Sequence, residues 1–459
     1  METKLTITNN YSIIQSSNKS LIKNISSTLT EKDMKSAFGG GAFDVSKIKE
    51  IKFFKLKDNS IGFRTGLLLE AVRVIKKMKE PVKIDDQRKM LFYQKKEYSH
   101  DELRNYFNPD YKYVEHQIRA LTALLKKNKG IIKATTSAGK SSIILALMKL
   151  SGLKCLVLVP KEDLGRQLAE DFRENGYEIG FNSGKTANKK IDTEISYVST
   201  IGCAHKLPND FDIVILDECH RGCSNVYQTY LASSKATAIY GFSATPEGNS
   251  KLDFMKVRQF LGDIIETIEA KELIDNGVIA YPNIKMINVN QIKTLDWPSA
   301  NTMCIVENEE RNGIIKDITD KYQEQTLILV RTIEHGNKLK EMIPDSIFVS
   351  GKDSSKVRKQ SIEDFKNNKV RVMIASNIFN EGISINNIKV LIIASGGKSK
   401  IESVQKLGRV LRVDRKTGKV DGYVFDFADT GNKFTVKHSN ARIKIYKEVG
   451  FPVEIIDSI

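Results

Sequence analysis

The amino-acid sequence predicts an α/β fold: two tandem doubly wound parallel-sheet domains preceded by a small α+β domain. Three observations carry this expectation. From about residue 106, short apolar runs alternate with amphipathic stretches, the pattern of βαβ units. The pattern restarts after Pro282. Residues 1–100 hold 20 Lys/Arg and 11 Asp/Glu, so +9 of the chain's +16 sits in under a quarter of its length and marks a separate module. The expected domains are 1–105, 106–282 and 283–459.

In the first module, Lys4–Thr8 and Ile51–Leu56 alternate as strands do. A turn at Asp58 and Asn59 returns the chain through Ile61–Arg64, which makes a hairpin. Leu67, Leu68, Ala71, Val72 and Ile75 then recur at helical spacing until Pro81 ends the pattern, with Arg73, Lys76, Lys77 and Lys79 on the polar side. The cluster Gly39–Gly41 reads as a loop, because no Lys and helix follow it as phosphate binding requires. In the second domain the strands are IIKA, CLVLVP, ISYVST, DIVILDE and AIYGFSAT; in the third, TLILV, SIFVS, VRVMIAS, VLIIAS and GYVFDF. The tail closes the third domain, with Arg442, Lys444 and Lys447 expected in solvent.

Composition narrows the function. At 41% hydrophobic and 28% charged residues, the 459-residue chain has the make-up of a folded protein. A net charge of +16 and a pI near 9.3 point to a polyanionic partner, nucleic acid first. No apolar run approaches the roughly 20 residues that cross a bilayer, and METKLTITNNYS lacks the layout of a signal peptide. The five cysteines form no two CxxC pairs for zinc, and Cys219 and Cys223 lack a second ligand pair; a reducing cytoplasm fits.

Two sites carry chemistry. Strand IIKA runs into TTSAGKS and the helix SIILALMKL, placing Gly139, Lys140 and Ser141 at a strand-to-helix turn that can cradle phosphates, with Lys140 on the β- and γ-phosphates and Ser141 on Mg²⁺. Ala134 stands where the first glycine of such loops is expected. Further on, the apolar strand FDIVIL delivers Asp217 and Glu218 to its carboxyl end, where ligands bind in α/β sheets; Asp217 would hold Mg²⁺ and Glu218 polarise the attacking water.

With GFSATP (241–246) and QKLGRVLR (405–412), this pairing resembles the superfamily 2 helicases over about 350 residues. The resemblance implies RecA-like domains, ATP with Mg²⁺, and a phosphate loop of Thr136, Ser137, Ala138, Gly139, Lys140 and Ser141. It implies coupling of nucleotide to nucleic acid through His220, Ser243 and Thr245. Gln405, Arg409 and Arg412 would turn toward the nucleotide from the second sheet, the arginines as fingers. Gln117, upstream of the loop, matches an adenine-reading glutamine, and Gly382 is a further nucleotide-site candidate. Nucleic-acid contacts would come from Pro160, Lys161 and Gln167, from Thr200, and from Arg331, Gly351, Lys352, Ser376 and Asn377.

DECH in place of DEAD and PKEDLGRQ in place of PTRELAxQ set the chain apart from RNA-remodelling DEAD-box proteins. Ser384 stands where many relatives carry Asp, so that contact is not carried over. TTSAGKS, EGISI and KSKIESVQKLGRVLR look like the phage UvsW-type DNA helicases, which implies a DNA-binding first module and action on branched DNA in branch migration, fork regression, recombination or repair. The expected partner is DNA at single-stranded/duplex junctions with little base specificity. No membrane is expected, the sequence specifies neither protein partners nor oligomeric state, a monomer being one possibility, and the setting is cytoplasmic, a host's if the origin is a phage. In the expected cycle both domains clasp one ATP, Lys140, Asp217 and Glu218 facing Arg409 and Arg412. The competing readings are a duplex translocase without strand separation, an RNA helicase, and a non-catalytic binding module; unwinding, triplex-displacement and ATPase assays separate them.

Overall fold

The computed structural model describes residues 2–39, 42–43, 45–111, 113–135, 137–184, 195–248, 250–376, 388–397, 421–448 and 450–459. They form two compact units, residues 1–134 with 139–267, and residues 135–138 with 268–459.

In chain order the first module runs β1 (Thr3–Ile7), β2 (Tyr11–Gln15), α1 (Lys19–Thr28), β3 (Thr30–Asp33), β4 (Phe38–Gly39), β5 (Ala42–Phe43), β6 (Lys49–Lys52), β7 (Phe54–Lys57), β8 (Ser60–Arg64), α2 (Leu68–Met78) and β9 (Val82–Asp86). A five-stranded sheet in the order β7-β8-β2-β1-β9 packs one face on both helices. Period-two alternation turns Leu5, Ile7, Ile14 and Phe63 onto Leu21, Ile25, Ala71 and Ile75. The hairpin turns at Asp58, whose φ is 49°. Helix α2 stops at Lys79 in the left-handed region (φ 54°), two residues before Pro81.

One expectation needs correction here. Ile51–Leu56 is not one strand: Phe53 turns into the core and its N–H donates to the Leu29 carbonyl at 3.0 Å, so Ile51 and Lys52 pair with β3 while Phe54–Lys57 pair with β8. The glycine cluster borders a short antiparallel pair, β4 with β5, with Gly40 and Gly41 outside the described residues.

The chain continues through α3 (His100–Arg104), α4 (Glu115–Leu125), β10 (Lys129–Ala134), α5 (Lys140–Ser151), β11 (Cys155–Val159), α6 (Glu162–Glu174), β12 (Ile179–Asn182), β13 (Ser196–Thr200), β14 (Ile213–Asp217), α7 (Asn225–Ser233), β15 (Ala238–Ser243), α8 (Lys251–Leu261) and β16 (Ile264–Ile268). The seven-stranded order is β12-β13-β11-β14-β15-β10-β16, parallel from β12 to β10. Helix α5 is apolar nearly all round because it is buried nearly all round, Ile143 to Met148 included. The amino-terminal module is seated on α8. Leu252 and Met255 enter its core, Arg258 pairs with Glu70 at 2.8 Å, and a Cβ on Gly66 would stand 2.1 Å from the Arg258 carbonyl oxygen.

The second unit holds β17 (Tyr281–Asn290), β18 (Thr326–Leu329), β19 (Ser346–Val349), β20 (Val372–Ala375), β21 (Val390–Ile393), β22 (Asp421–Thr430) and β23 (Val453–Ile456), in the order β19-β20-β18-β21-β22-β17-β23 with parallel pairing throughout. These are two tandem RecA-like sheets behind an α+β region. Arg442 is not in solvent as expected. It is 2% exposed, and its Nε and Nη2 donate to the Asp426 carboxylate at 2.8 and 2.9 Å. Strand β22 buries Asp426 completely, and a buried carboxylate needs a paired cation. Tyr446 donates to the same carboxylate at 2.7 Å, and Arg442 Nη1 to the Gly397 carbonyl at 2.6 Å. Among the described residues no helix is long and apolar enough to cross a membrane.

Candidate active site

Sheet order assembles the first unit's site. Strands β14, β15 and β10 are neighbours, so their carboxyl ends bring Asp217 and Glu218, Ser243, and the turn into α5 side by side. Lys140 Nζ stands 4.0 Å from Glu218 Oε1 and donates to the Ala134 carbonyl at 3.4 Å. Behind them is a polar relay. His220 Nδ1 lies 3.3 Å from Glu218 Oε2 and 3.0 Å from Ser243 Oγ, and Ser243 Oγ accepts from the Thr245 N–H at 3.1 Å. His220 and Ser243 are buried, so these contacts compete with little water.

The backbone is strained where the chemistry sits. Glu218 (φ 52°) and Ser137 (φ 70°) both adopt the left-handed region that β-carbons disfavour. Gly139 has φ 77°, and a Cβ there would meet Gln117 Nε2 at 2.0 Å. Gln117 on α4 thus lies directly against the start of α5. It is buried, and its Oε1 has no hydrogen-bond partner among the described residues.

The two carboxylates differ. Burial, then the adjacent Glu218 charge, pushes Asp217 above the ordinary carboxylate range. Burial also works against ionised Glu218, but Lys140 and the His220 hydrogen bond outweigh it and hold Glu218 below its usual value. Two adjacent carboxylates at one strand end, one of them held high by burial and its neighbour's charge, are the donor chemistry a divalent metal ion satisfies. Asp217, with the exposed Ser141 hydroxyl at the start of α5, fits Mg²⁺.

The other candidates fall on two rows of strand ends. Pro160 and Lys161 follow β11 and Thr200 ends β13, so they continue the row outward from β14; Gln167 is exposed on α6. In the second unit, Gly351 and Lys352 follow β19, Ser376 follows β20 and Arg331 follows β18, again on neighbouring strands. Thr136, Asn377, Gly382, Gln405, Arg409 and Arg412 lie outside the described residues. One contact escaped the sequence. Lys133 Nζ donates to Glu247 Oε1 at 2.6 Å, tying β10 to the turn after Thr245; a lysine within the apolar run IIKA was its only signal.

Residues 110–248 match the family described as type III restriction enzyme, res subunit, and residues 309–414 match the helicase conserved C-terminal domain. The two follow each other in helicase order. The chain belongs to superfamily 2 of the helicases. It is 25% identical over 351 residues to the ATP-dependent DNA helicase uvsW of Enterobacteria phage T4, covering 70% of this chain and 68% of that protein. Over 349 residues it is 23% identical to the DNA 3'-5' translocase XPB2 of Sulfurisphaera tokodaii, covering 65% and 78%. Among solved structures, the ATP-dependent type ISP restriction-modification enzyme LlaBIII bound to DNA shares the fold at a TM-score of 0.59 and 14% identity, over 89% of this chain and 36% of that one. The helicase domains make this an ATP-dependent enzyme of a kind that typically uses Mg²⁺.

Proposed function

We propose that the helicase acts on DNA, unwinding or remodelling branched molecules in recombination, replication or repair. The observation that carries it is the joining of Lys140, Glu218, His220 and Ser243 in one buried relay, because such a relay lets the state of the nucleotide reach residues beside the sheet's outer strand ends. Names of relatives point the same way, to a DNA helicase and a DNA translocase.

In this reading 1–105 contacts DNA, 106–282 binds ATP and 283–459 is the second motor domain. Gln117 reads adenine through its free amide oxygen. The amides of Thr136, Ser137, Ala138 and Gly139 line the phosphates, and Lys140 neutralises the β- and γ-oxygens. Ser141 and Asp217 hold Mg²⁺, which when bound withdraws charge from the transferred phosphoryl group. Glu218 orients the attacking water and accepts its proton. His220 passes the change at Glu218 to Ser243 and Thr245. Arg409 and Arg412 supply positive charge to the leaving phosphate, with Gln405 beside them and Gly382 at the nucleotide. Pro160, Lys161, Gln167, Thr200, Arg331, Gly351, Lys352, Ser376 and Asn377 hold the DNA backbone without reading bases.

Glu218→Gln and Lys140→Ala should each lower DNA-stimulated ATP hydrolysis by at least about 100-fold while DNA binding persists. Full DNA-stimulated turnover in purified Glu218→Gln protein would falsify the assignment. The match of 110–248 to the type III restriction enzyme res subunit favours a second reading, translocation along duplex without strand separation. Triplex displacement with no fork unwinding would establish it.

A further inference from the structure

We propose that the open face of the amino-terminal five-stranded sheet is a docking surface for duplex DNA. The proposal rests on the DNA-motor reading above and names where a duplex arm is held. Helices α1 and α2 cover one side of this sheet; on the other, Tyr11, Ile13, Gln15, Lys55, Lys57 and Lys83 are exposed.

Strand registers arrange this side in rows. One row crosses all five strands as Lys57, Ser60, Gln15, Lys4 and Lys83. The next is Lys55, Gly62, Ile13, Thr6 and Asp85. Positive charge therefore stands at both edges, with an uncharged strip on β8 and β2 between them. Asp85 is the one acid in the two rows and is taken up by Lys4 at 3.1 Å. Lys55, Lys57 and Lys83 have no ion-pair partner among the described residues. A solvated sheet face ordinarily mixes both signs; this one sets four lysines against a single paired carboxylate.

Spacing argues for a duplex. Strands lie about 4.8 Å apart, so the β7 lysines stand roughly 14 to 19 Å from Lys4 and Lys83. Two phosphate backbones flanking a B-DNA major groove about 12 Å wide fit that separation, whereas a single strand needs only one line of charge. Arg64, in the third row, is committed elsewhere: it lies over the rings of Tyr11 and Phe260 at 4.4 and 4.9 Å and donates to the Ala232 carbonyl at 3.3 Å. That contact joins the sheet to the body that carries Lys140 and Glu218.

The test is equilibrium binding of a labelled random-sequence DNA duplex by the full chain without nucleotide, across a salt series, with a single strand and an RNA duplex as further probes. Lys55→Gln/Lys57→Gln/Lys83→Gln should keep the melting temperature, weaken duplex binding at least about tenfold at physiological salt, and flatten the slope of log K against log salt by about 2 to 3. ATP hydrolysis stimulated by a short single strand should be unchanged. Lys23→Gln/Lys76→Gln/Lys77→Gln, the same charge change on the helix side, should alter the slope by less than about 1. Wild-type-like duplex binding by the sheet variant overturns the proposal, as does an equal loss in the helix-side variant or a preference for the RNA duplex through the same lysines. Absence of nucleic-acid-stimulated ATP hydrolysis in the wild type would instead strike the motor reading, and the binding result would still stand.

Discussion

Gly139 has two separate reasons to be glycine, and each can be tested. Its φ of 77° costs a residue with a β-carbon about 1–2 kcal/mol, and Gln117 Nε2 occupies the space a methyl group would take. Gly139→Ala should therefore raise KM for ATP about tenfold with only a modest loss of melting temperature; an unchanged KM would separate Gln117 from nucleotide binding. Gly139, Lys140, Ser141, Asp217 and Glu218 were readable in the chain because motif spacing and apolar strands announce them. His220 and Ser243 were named through the family resemblance alone; that they touch each other and Glu218 was not readable, since they are 23 residues apart and meet only because β14 and β15 are adjacent. Arg442 shows the opposite case. Nothing in NARIKIYK separates a buried arginine from a solvated one; its burial follows from Asp426, sixteen residues earlier, lying inside the sheet.

At the scale of elements, the strongly apolar strands were legible, the edge strand β19 among them, and four strands at the sheet margins were not. Strands β12, β16, β17 and β23 carry Gly, Glu, Lys or Asn among their apolar residues and lie at or next to a sheet edge, where one side meets solvent and the apolar signal thins. Helix α8 has a double allegiance that its own periodicity does not reveal. It starts six residues after Thr245 and supplies Leu252 and Met255 to the core of the amino-terminal module. Arg258 on α8 reaches Glu70 on α2 with both side chains largely buried, 12% and 17% exposed. Arg258→Met and Glu70→Gln should each destabilise the first unit by about 1–3 kcal/mol. A double-mutant cycle should return a coupling of about 1 kcal/mol or more; additive losses would show that the pair does not hold the module in place.

For the molecule as a whole, the joint between the amino-terminal module and the first motor sheet should respond to pH. Lys129 opens β10 at that joint, donating to the Phe260 carbonyl at 3.0 Å and to Asn10 Oδ1 at 3.4 Å. Burial, with Arg64 nearby, pushes its ammonium down to about 7. The unfolded chain, with an ordinary lysine, binds more protons than the folded one between pH 7 and about 10, so stability rises with pH through that window. The first unit should gain about 1–2 kcal/mol from pH 7 to 9. Lys129→Met should flatten that slope in thermal unfolding, and an unchanged slope would place the titration elsewhere. The succession of apolar runs, the +9 first module and the motif order were sufficient to specify a small basic α+β domain and two RecA-like sheets, because period-two apolarity and strand-to-helix turns are local properties of the chain. Strand order, the seating of the first module on α8, the buried Arg442–Asp426 pair and the lysine rows across the open sheet came only with the folded molecule. Each depends on residues far apart in the chain becoming neighbours, and that is settled by packing and register.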